Sequence, residues 1–345
     1  MQTIYRKVKY YGHCATICPI DHGILLAYYG GPECMNEQSV HIEYWIKGRL
    51  MCEMILPDKT GNCVLVPTSK DTATIIFSYF EDTDGVEKIT TPVTRWRFCS
   101  NWSMELSISR HKWIERTDIQ RFQALPSIGA LVRCSPIRFG SKVLLPAYKE
   151  HNCYGIIAEC SKGSWSELST IGFGKGILIQ PTIWSDKDKV LHSLSRDITG
   201  NRKAWYSKST DQGRTWMDPI STTIDNYNNS IVVIDGTNLV IWNKGHDRNN
   251  LQLGRLSDDY KSAEPILKLN ADGGGSYPNY CVCDDRIEIV HTEMKAQAIT
   301  RHIIPMEELD CLPTTLPDNS LIKSEHNQYV RVPEPEFWTR SDEAL

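Results

Sequence analysis

Cysteine is the first residue type whose count invites a chemical reading, because the 345-residue chain carries twelve. Only Cys14 with Cys18, and Cys281-Val282-Cys283, lie close together, and neither is followed by a second pair at zinc-site spacing. On a strand, Cys281 and Cys283 share one face. The scatter reads as buried, reduced thiols in a reducing compartment rather than a disulfide scaffold. The histidines recur in no ligand phrase, so no metal and no cofactor is expected. Calcium, which needs only loop oxygens, would leave no such mark. The acid that most invites a catalytic role is Asp211, in Ser209-Thr210-Asp211-Gln212-Gly213-Arg214-Thr215-Trp216. In that phrase an Asp side chain can bond amides just ahead of it, and Gly213 supplies a positive φ. Trp216 then folds its ring back on the sheet. Ser209, Asp211, Gly213 and Trp216 therefore read as a structural staple, and the chemistry must be sought elsewhere.

The elements that must position any site are short and extended. β-type runs such as Ile24–Tyr28, Thr74–Ser78, Lys142–Leu145, Lys189–His192, Ser230–Ile234, Leu239–Trp242 and Arg286–Val290 alternate with Gly, Asn, Asp and Ser turns, and long helical periodicity is nearly absent. Faded copies of the staple follow one another: Lys47-Gly48, Ser107 to Trp113, Ser161 to Trp165 and Ser257-Asp258-Asp259. The steps from Trp113 to Trp165 to Trp216 are 52 and 51 residues, the length of one four-stranded propeller blade. At ~50 residues per blade, the chain to residue 306 holds roughly six. The expected fold is all-β: a six-bladed β-propeller of four-stranded antiparallel blades over residues 1–306. Residues 307–345, with Pro313, Pro317, Pro333 and Pro335 among charges, are expected as a tail packed on the propeller or extending from it. Such a tail offers a route to a homo-oligomer or a larger assembly.

Bulk properties narrow the function classes. Hydrophobic content of 41% and charged content of 23% are ordinary for a globular chain, and a net charge of −4 gives no reason to expect nucleic acid. No apolar run reaches membrane-spanning length, and the polar start Met1 to Lys7 does not read as a signal peptide. A cytoplasmic protein, or a component of a larger particle, is expected.

The phrase from Ser209 to Trp216 resembles the Asp-box of sialidases, and the likeness extends over roughly residues 8 to 305. It is closest to the second BNR-type family of sialidase-like proteins, which carry phrases similar to His13-Cys14-Ala15-Thr16-Ile17, Ser135-Pro136, Leu144-Leu145-Pro146, Gln180-Pro181-Thr182 and Ser276-Tyr277-Pro278. The resemblance implies a sialidase-type site: three arginines on a substrate carboxylate, a Tyr nucleophile activated by Glu, and an Asp acid/base. Position by position, it implies that Arg196 and Arg248 are the second and third arginines and Tyr277 the nucleophile. It also implies departures. His13 stands where the first arginine is expected. Gln180, sixteen residues before Arg196, stands in place of the activating Glu. The acid/base Asp has no match, and Glu33 and Glu37 occupy its loop. Glu150, Asn229 and Asn243 fall where family members place polar ligand contacts. His291 and His302 are expected to be structural.

Those departures alter the chemistry. An amide cannot take a proton from a phenol, so Tyr277 lacks its activator. Two arginines and an imidazole suit binding a carboxylate and moving a proton. The expected function is a sialidase-like enzyme that cleaves a glycosidic bond at an acidic sugar, sialic or uronic, as an exo-acting hydrolase. The alternatives are a β-eliminating lyase on a uronic-acid glycan using His13 and Tyr277, and a non-catalytic glycan-binding or structural propeller. In each case the partner is an acidic glycan.

Overall fold

The computed structural model describes residues 2–7, 12–31, 37–81, 96–109, 113–126, 128–245, 247–270, 274–293, 298–310 and 330–331. The strands form six sheets arranged as the blades of a propeller. The first blade is His13–Ile20, Gly23–Gly30, Ser39–Ile46 and Arg49–Ile55, paired in sequence order. The second begins with Thr60–Pro67, Thr72–Phe80 and Cys99–Ser109, the last of which pairs with both Trp113–Arg116 and Gln120–Arg121. In the third, Ala130–Val132 and Ile137–Phe139 share one partner, Lys142–Lys149, followed by Tyr154–Ser161 and Ser164–Ile171. The fourth is Leu178–Ser185, Leu191–Asp197, Lys203–Ser209 and Ile220–Asp225. The fifth is Val232–Val233, Leu239–Asn243, Leu251–Leu256 and Ala263–Lys268. The strand expected over Ser230–Ile234 thus shrinks to two ladder residues, because Asn229 and Ser230 turn into the hydrogen bonding of the site below.

The sixth blade closes the ring. Gly275–Cys283, Arg286–Glu293 and Ala298–Pro305 are completed by Gln2–Lys7, antiparallel to Ala298–Pro305, so both ends of the propeller meet in one sheet. A short helix, Met306–Asp310, follows, and Val330–Arg331 pairs in parallel with Ile4 and Tyr5. The rest of the expected tail, 311–329 and 332–345, lies outside the described residues.

Every copy of the staple falls in the same place, the link between the third and fourth strands of a blade. Lys47 and Gly48 sit there at φ 46° and 77°, Lys162 and Gly163 at 52° and 78°. In the intact copy the Gly213 amide donates to Ser209 Oγ (2.9 Å), while Ser209 Oγ and the Thr215 amide both donate to Asp211 Oδ1 (2.7 and 2.9 Å). Hydrogen bonds from the Thr215 hydroxyl and amide hold Asp211 down at about 2, so it is a fixed anion and no proton carrier. Trp216 Nε1 donates to Ser169 Oγ of the third blade, which ties neighbouring blades together (3.1 Å).

Core packing lies between blades. Leu25 and Ile42 of the first pack in one cluster with Leu65 and Ile75 of the second, and Ile241 and Leu253 of the fifth with Ile287 and Ile289 of the sixth. Each such fully buried aliphatic side chain contributes roughly 1.5–3 kcal/mol. Thr16 Oγ1 accepts the Leu65 amide and Thr182 Oγ1 the Val233 amide, each at 3.3 Å, stitching one inner strand to the next. No helix among the described residues is long and apolar enough to cross a membrane, and no disulfide is formed among them.

Candidate functional site

The inner strands carry irregularities at a common level. Register shifts occur between His13 and Thr16, Gly61 and Cys63, Ile179 and Thr182, and Ser276 and Asn279. In three of these bulges a non-glycine residue sits in the left-handed region: Cys14 (φ 53°), Gln180 (φ 51°) and Tyr277 (φ 51°). Each costs on the order of 1–3 kcal/mol, and such outliers gather where a site needs them. The third blade breaks its inner strand at the same level, over Arg133 to Pro136. The effect is to aim side chains at the axis, as the contacts across the ring record.

Tyr277 is the hub. Arg248, from the loop between the second and third strands of the fifth blade, stands 5.0 Å over its ring and donates Nη2 to its hydroxyl at 3.3 Å. Arg248 also donates to the carbonyl of Asn228. The His13 ring meets Tyr277 edge-on, with centroids 4.9 Å apart and planes at 86°. Arg133 lies 5.4 Å from the ring. It is 1% exposed, and it donates to the carbonyls of Ala15 in the first blade (3.2 Å) and Pro278 in the sixth (3.0 Å). A cation from the third blade thus spans the axis.

A second group adjoins this hub. Arg196 Nη1 donates to Gln180 Oε1 and its Nη2 to Asn228 Oδ1, both at 3.4 Å. Gln180 Nε2 and Asn62 Nδ2 donate to the Tyr148 hydroxyl at 3.3 and 3.5 Å. Both lone pairs of that phenol are therefore taken, and its proton is the hydrogen-bonding capacity left to it. Burial pushes Tyr148 well above the ordinary phenol range. Asn228 bridges the halves, accepting from Arg196 through its side chain and from Arg248 through its carbonyl.

The electrostatics are strongly cationic. Burial, and then the charges of Arg248 and Arg133, hold His13 down at about 3, so the imidazole is neutral at physiological pH. Its Nδ1 lies 3.4 Å from Thr292 Oγ1. Burial raises Glu150, against the pull of Arg196 and Arg97, so its carboxyl is the titratable acid beside the arginines.

The sequence-predicted residues separate into three sets. His13, Gln180, Arg196, Arg248 and Tyr277 come together at one end of the axis. Asn229 and Asn243 lie beneath it, 1% and 2% exposed, with their amides engaged internally. Asn229 Oδ1 accepts the amides of Tyr277 (2.8 Å) and Ser230 (2.9 Å), and its Nδ2 donates to Asn243, which donates to the Gly275 carbonyl (3.1 Å). They hold the strained Tyr277 in place, and every amide atom of the pair has a partner within the fold. Glu37 is exposed in the loop between the second and third strands of the first blade, on the side where His13 begins its strand. Glu33 lies outside the described residues. Arg133, Tyr148, Asn62 and Asn228 were missed. The signal for two of them was adjacent: Arg133 stands just before Ser135-Pro136, and Tyr148 just after Leu144-Leu145-Pro146.

The BNR repeat-like domain model matches residues 54–289 of this chain. The chain belongs to that family. Among solved structures, this BNR-type propeller is similar to Trypanosoma rangeli sialidase in complex with the inhibitor DANA (TM-score 0.66, 12% identity, 90% of this chain and 58% of that one). It is also similar to a Dyadobacter fermentans protein of unknown function (TM-score 0.64, 13% identity, 88% and 97%) and to a Hadza microbial sialidase (TM-score 0.64, 10% identity, 86% and 66%). No curated protein matches the sequence. The chain spans 58% of the length of the Trypanosoma enzyme, and at these identities the likeness is one of fold. The fold is that of a sialidase-like six-bladed propeller.

Proposed function

We propose that the BNR-type propeller cleaves an acidic glycan at the axial site by β-elimination next to a uronate carboxylate. One observation carries this reading: Arg248 bonds the Tyr277 hydroxyl while a neutral His13 meets the same ring, with no carboxylate hydrogen-bonded to that phenol among the described residues. Arg196 and Arg248, bridged by Asn228, hold the substrate carboxylate by charge-assisted hydrogen bonds, and buried Arg133 adds its field from below. Their charge stabilises the enolate-like carboxylate that forms when the neighbouring carbon loses its proton. His13 takes that proton. The carbon–oxygen bond at the β position breaks as the carbon–carbon double bond forms, and the Tyr277 hydroxyl gives its proton to the leaving glycosidic oxygen. The imidazolium of His13 then gives its proton to water and the Tyr277 phenolate takes one from water, and the site is restored.

A neutral imidazole held at about 3 is a weak base in the empty site. A bound carboxylate raises His13 part of the way, because it offsets some of the Arg248 and Arg133 charge that adds to the larger effect of burial. The free thiols among the described residues suit a reducing compartment.

The test is to offer uronic-acid polysaccharides and fluorogenic sialosides in parallel. Elimination creates an unsaturated uronate that absorbs in the near ultraviolet; hydrolysis releases a saturated sugar and no such signal. Turnover of sialosides alone would replace this reading with the hydrolytic one, which the likeness to sialidase folds favours. A chain that turns over neither, yet binds acidic glycans through Arg196, would be a glycan-binding module.

A further inference from the structure

On the face opposite the axial site, a cleft of about 390 Å³ opens between the fourth and fifth blades. The staple hairpins frame it. Thr210 belongs to the intact copy and Met217 follows it, while Asp258 and Asp259 belong to the faded one and Tyr260 and Lys261 follow it. Its wall is a fixed hydrogen-bonded chain. The Asp186 carboxylate can only accept, so His192 Nε2 carries a proton and donates to it (3.0 Å); His192 Nδ1 then accepts from the Tyr206 hydroxyl (2.9 Å). Asp186 is pinned in turn by the amides of Asp188 and Val190, each at 2.9 Å. Tyr260 covers this wall, its ring 4.4 Å from His192 and 6.4 Å from Tyr206. Its φ of 60° is a conformation a bulky residue rarely adopts. The faded staple enforces it: the Tyr260 amide donates to the Ser257 carbonyl (2.9 Å), Ser257 Oγ donates to Asp259 (2.7 Å) and accepts the Ser262 amide (3.0 Å). Gln212 holds the equivalent place in the intact staple at φ 64°, so the hairpin sets this conformation, and at Tyr260 it carries an aromatic ring over the cleft.

We propose that this cleft is a second binding site, for a neutral pyranose unit of a glycan. A pyranose has an apolar face of C–H groups, which suits the Tyr260 ring, and a rim of hydroxyls that both donate and accept. The rim of the cleft offers both functions, with carboxylates at Asp258 and Asp259 and ammonium groups at Lys208 and Lys261. An anionic ligand would meet the three aspartates, and an organic cation the two lysines; a hydroxyl-rich neutral ring suits the mixture. The volume falls within the ~300–1,000 Å³ of small-molecule sites. The Asp186–His192–Tyr206 chain has its hydrogen bonds satisfied internally, so it is the rigid back wall, and Tyr260, Asp258 and Lys208 read the sugar. The site stands on residues of the opposite face and does not depend on what the axial site does.

Saturation-transfer NMR on the full chain, with cellobiose, lactose, maltotriose and chitobiose as probes, tests it. At least one probe receives magnetisation, and Tyr260→Ala weakens its binding about tenfold, the upper range for a removed aromatic partner. Lys208→Ala, on an exposed side chain that leaves the packed wall intact, weakens it several-fold. Arg248→Ala, at the axial site, leaves it unchanged while lowering any turnover about 100-fold or more, so failure of one site is distinguishable from failure of the other. The proposal is overturned if no neutral probe binds, if binding survives in both Tyr260→Ala and Lys208→Ala, or if Arg248→Ala removes it.

Discussion

Arg248 reaches Tyr277 in two ways at once, stacking its guanidinium 5.0 Å over the ring and donating Nη2 to the hydroxyl at 3.3 Å. A planar, forked donor can do both; an ammonium cannot. Arg248→Lys therefore keeps a positive charge and loses the geometry. We expect kcat/KM on a uronic-acid glycan to fall about 100-fold in Arg248→Lys and little further in Arg248→Ala, as for loss of one oriented donor at developing charge. Near-wild-type turnover by the lysine variant would show that charge alone suffices.

Tyr277→Phe removes one oxygen and keeps the ring that His13, Arg133 and Arg248 pack against. The proton donor to the leaving oxygen is lost, at about 10²–10⁴-fold in rate for a positioned acid. Binding of a uronate oligosaccharide, measured by calorimetry, changes far less, because Arg196 and Arg248 remain. Equal losses in affinity and rate would instead make Tyr277 a binding residue.

Ser209→Ala separates the staple from the site. Ser209 is 2% exposed, accepts the Gly213 amide and donates to Asp211. Its loss leaves a buried amide unsatisfied, at a cost of roughly 1–3 kcal/mol. The denaturant midpoint falls while kcat on any substrate stays at the wild-type value. A matching drop in kcat would mean that the staple hairpins reach the axial chemistry.

The same staple explains how much of the fold was legible. A repeated local hydrogen-bond device with a tryptophan at ~50-residue spacing announces blade length directly, and Lys47, Lys162, Ser209 and Ser257 do fall at equivalent hairpins. The site was less legible because it is assembled across the ring. Arg133 meets Ala15 and Pro278 at sequence separations of 118 and 145, which no local pattern records. The structural part that Asn229 plays is hidden for a related reason. Its side chain is engaged by the backbone of Tyr277, 48 residues away, and only the left-handed φ of Tyr277 reveals why an amide is needed there.

Gln180, expected from the resemblance to replace an activating carboxylate, takes a bond from Arg196 and gives one to Tyr148. Gln180→Glu keeps the Arg196 partner and turns the other contact round, so that the Tyr148 hydroxyl must donate. The fold is retained, but the new negative charge beside Arg196 competes with the substrate carboxylate. KM for an acidic glycan should rise about tenfold, as expected for one like charge in a partly desolvated site. An unchanged KM would place the carboxylate elsewhere.

The buried histidines set the acid limit of the fold. His13 is held down at about 3 and His291 at about 4, both mainly by burial, and burial with the neighbouring His291 puts His302 well below its usual value. An unfolded chain returns each imidazole to about 6.5. Between those values the unfolded state binds more protons, so stability rises with pH. It is fully present above about 6.5 and is lost as pH falls, by about 1.4 kcal/mol per pH unit per group. The loss from His291 is complete near 4 and that from His13 near 3. Urea unfolding between pH 7.5 and 5 isolates these groups from the carboxylates, which titrate lower. His13→Asn should lessen the slope by about one proton in that window. A stability flat from pH 7.5 to 5 would mean that these imidazoles are protonated in the fold, and the neutral base assigned to His13 would fall with it. Adding a saturating uronate should shift the His13 Hε1 titration upward, because the ligand's carboxylate offsets part of the Arg248 and Arg133 charge that adds to the effect of burial.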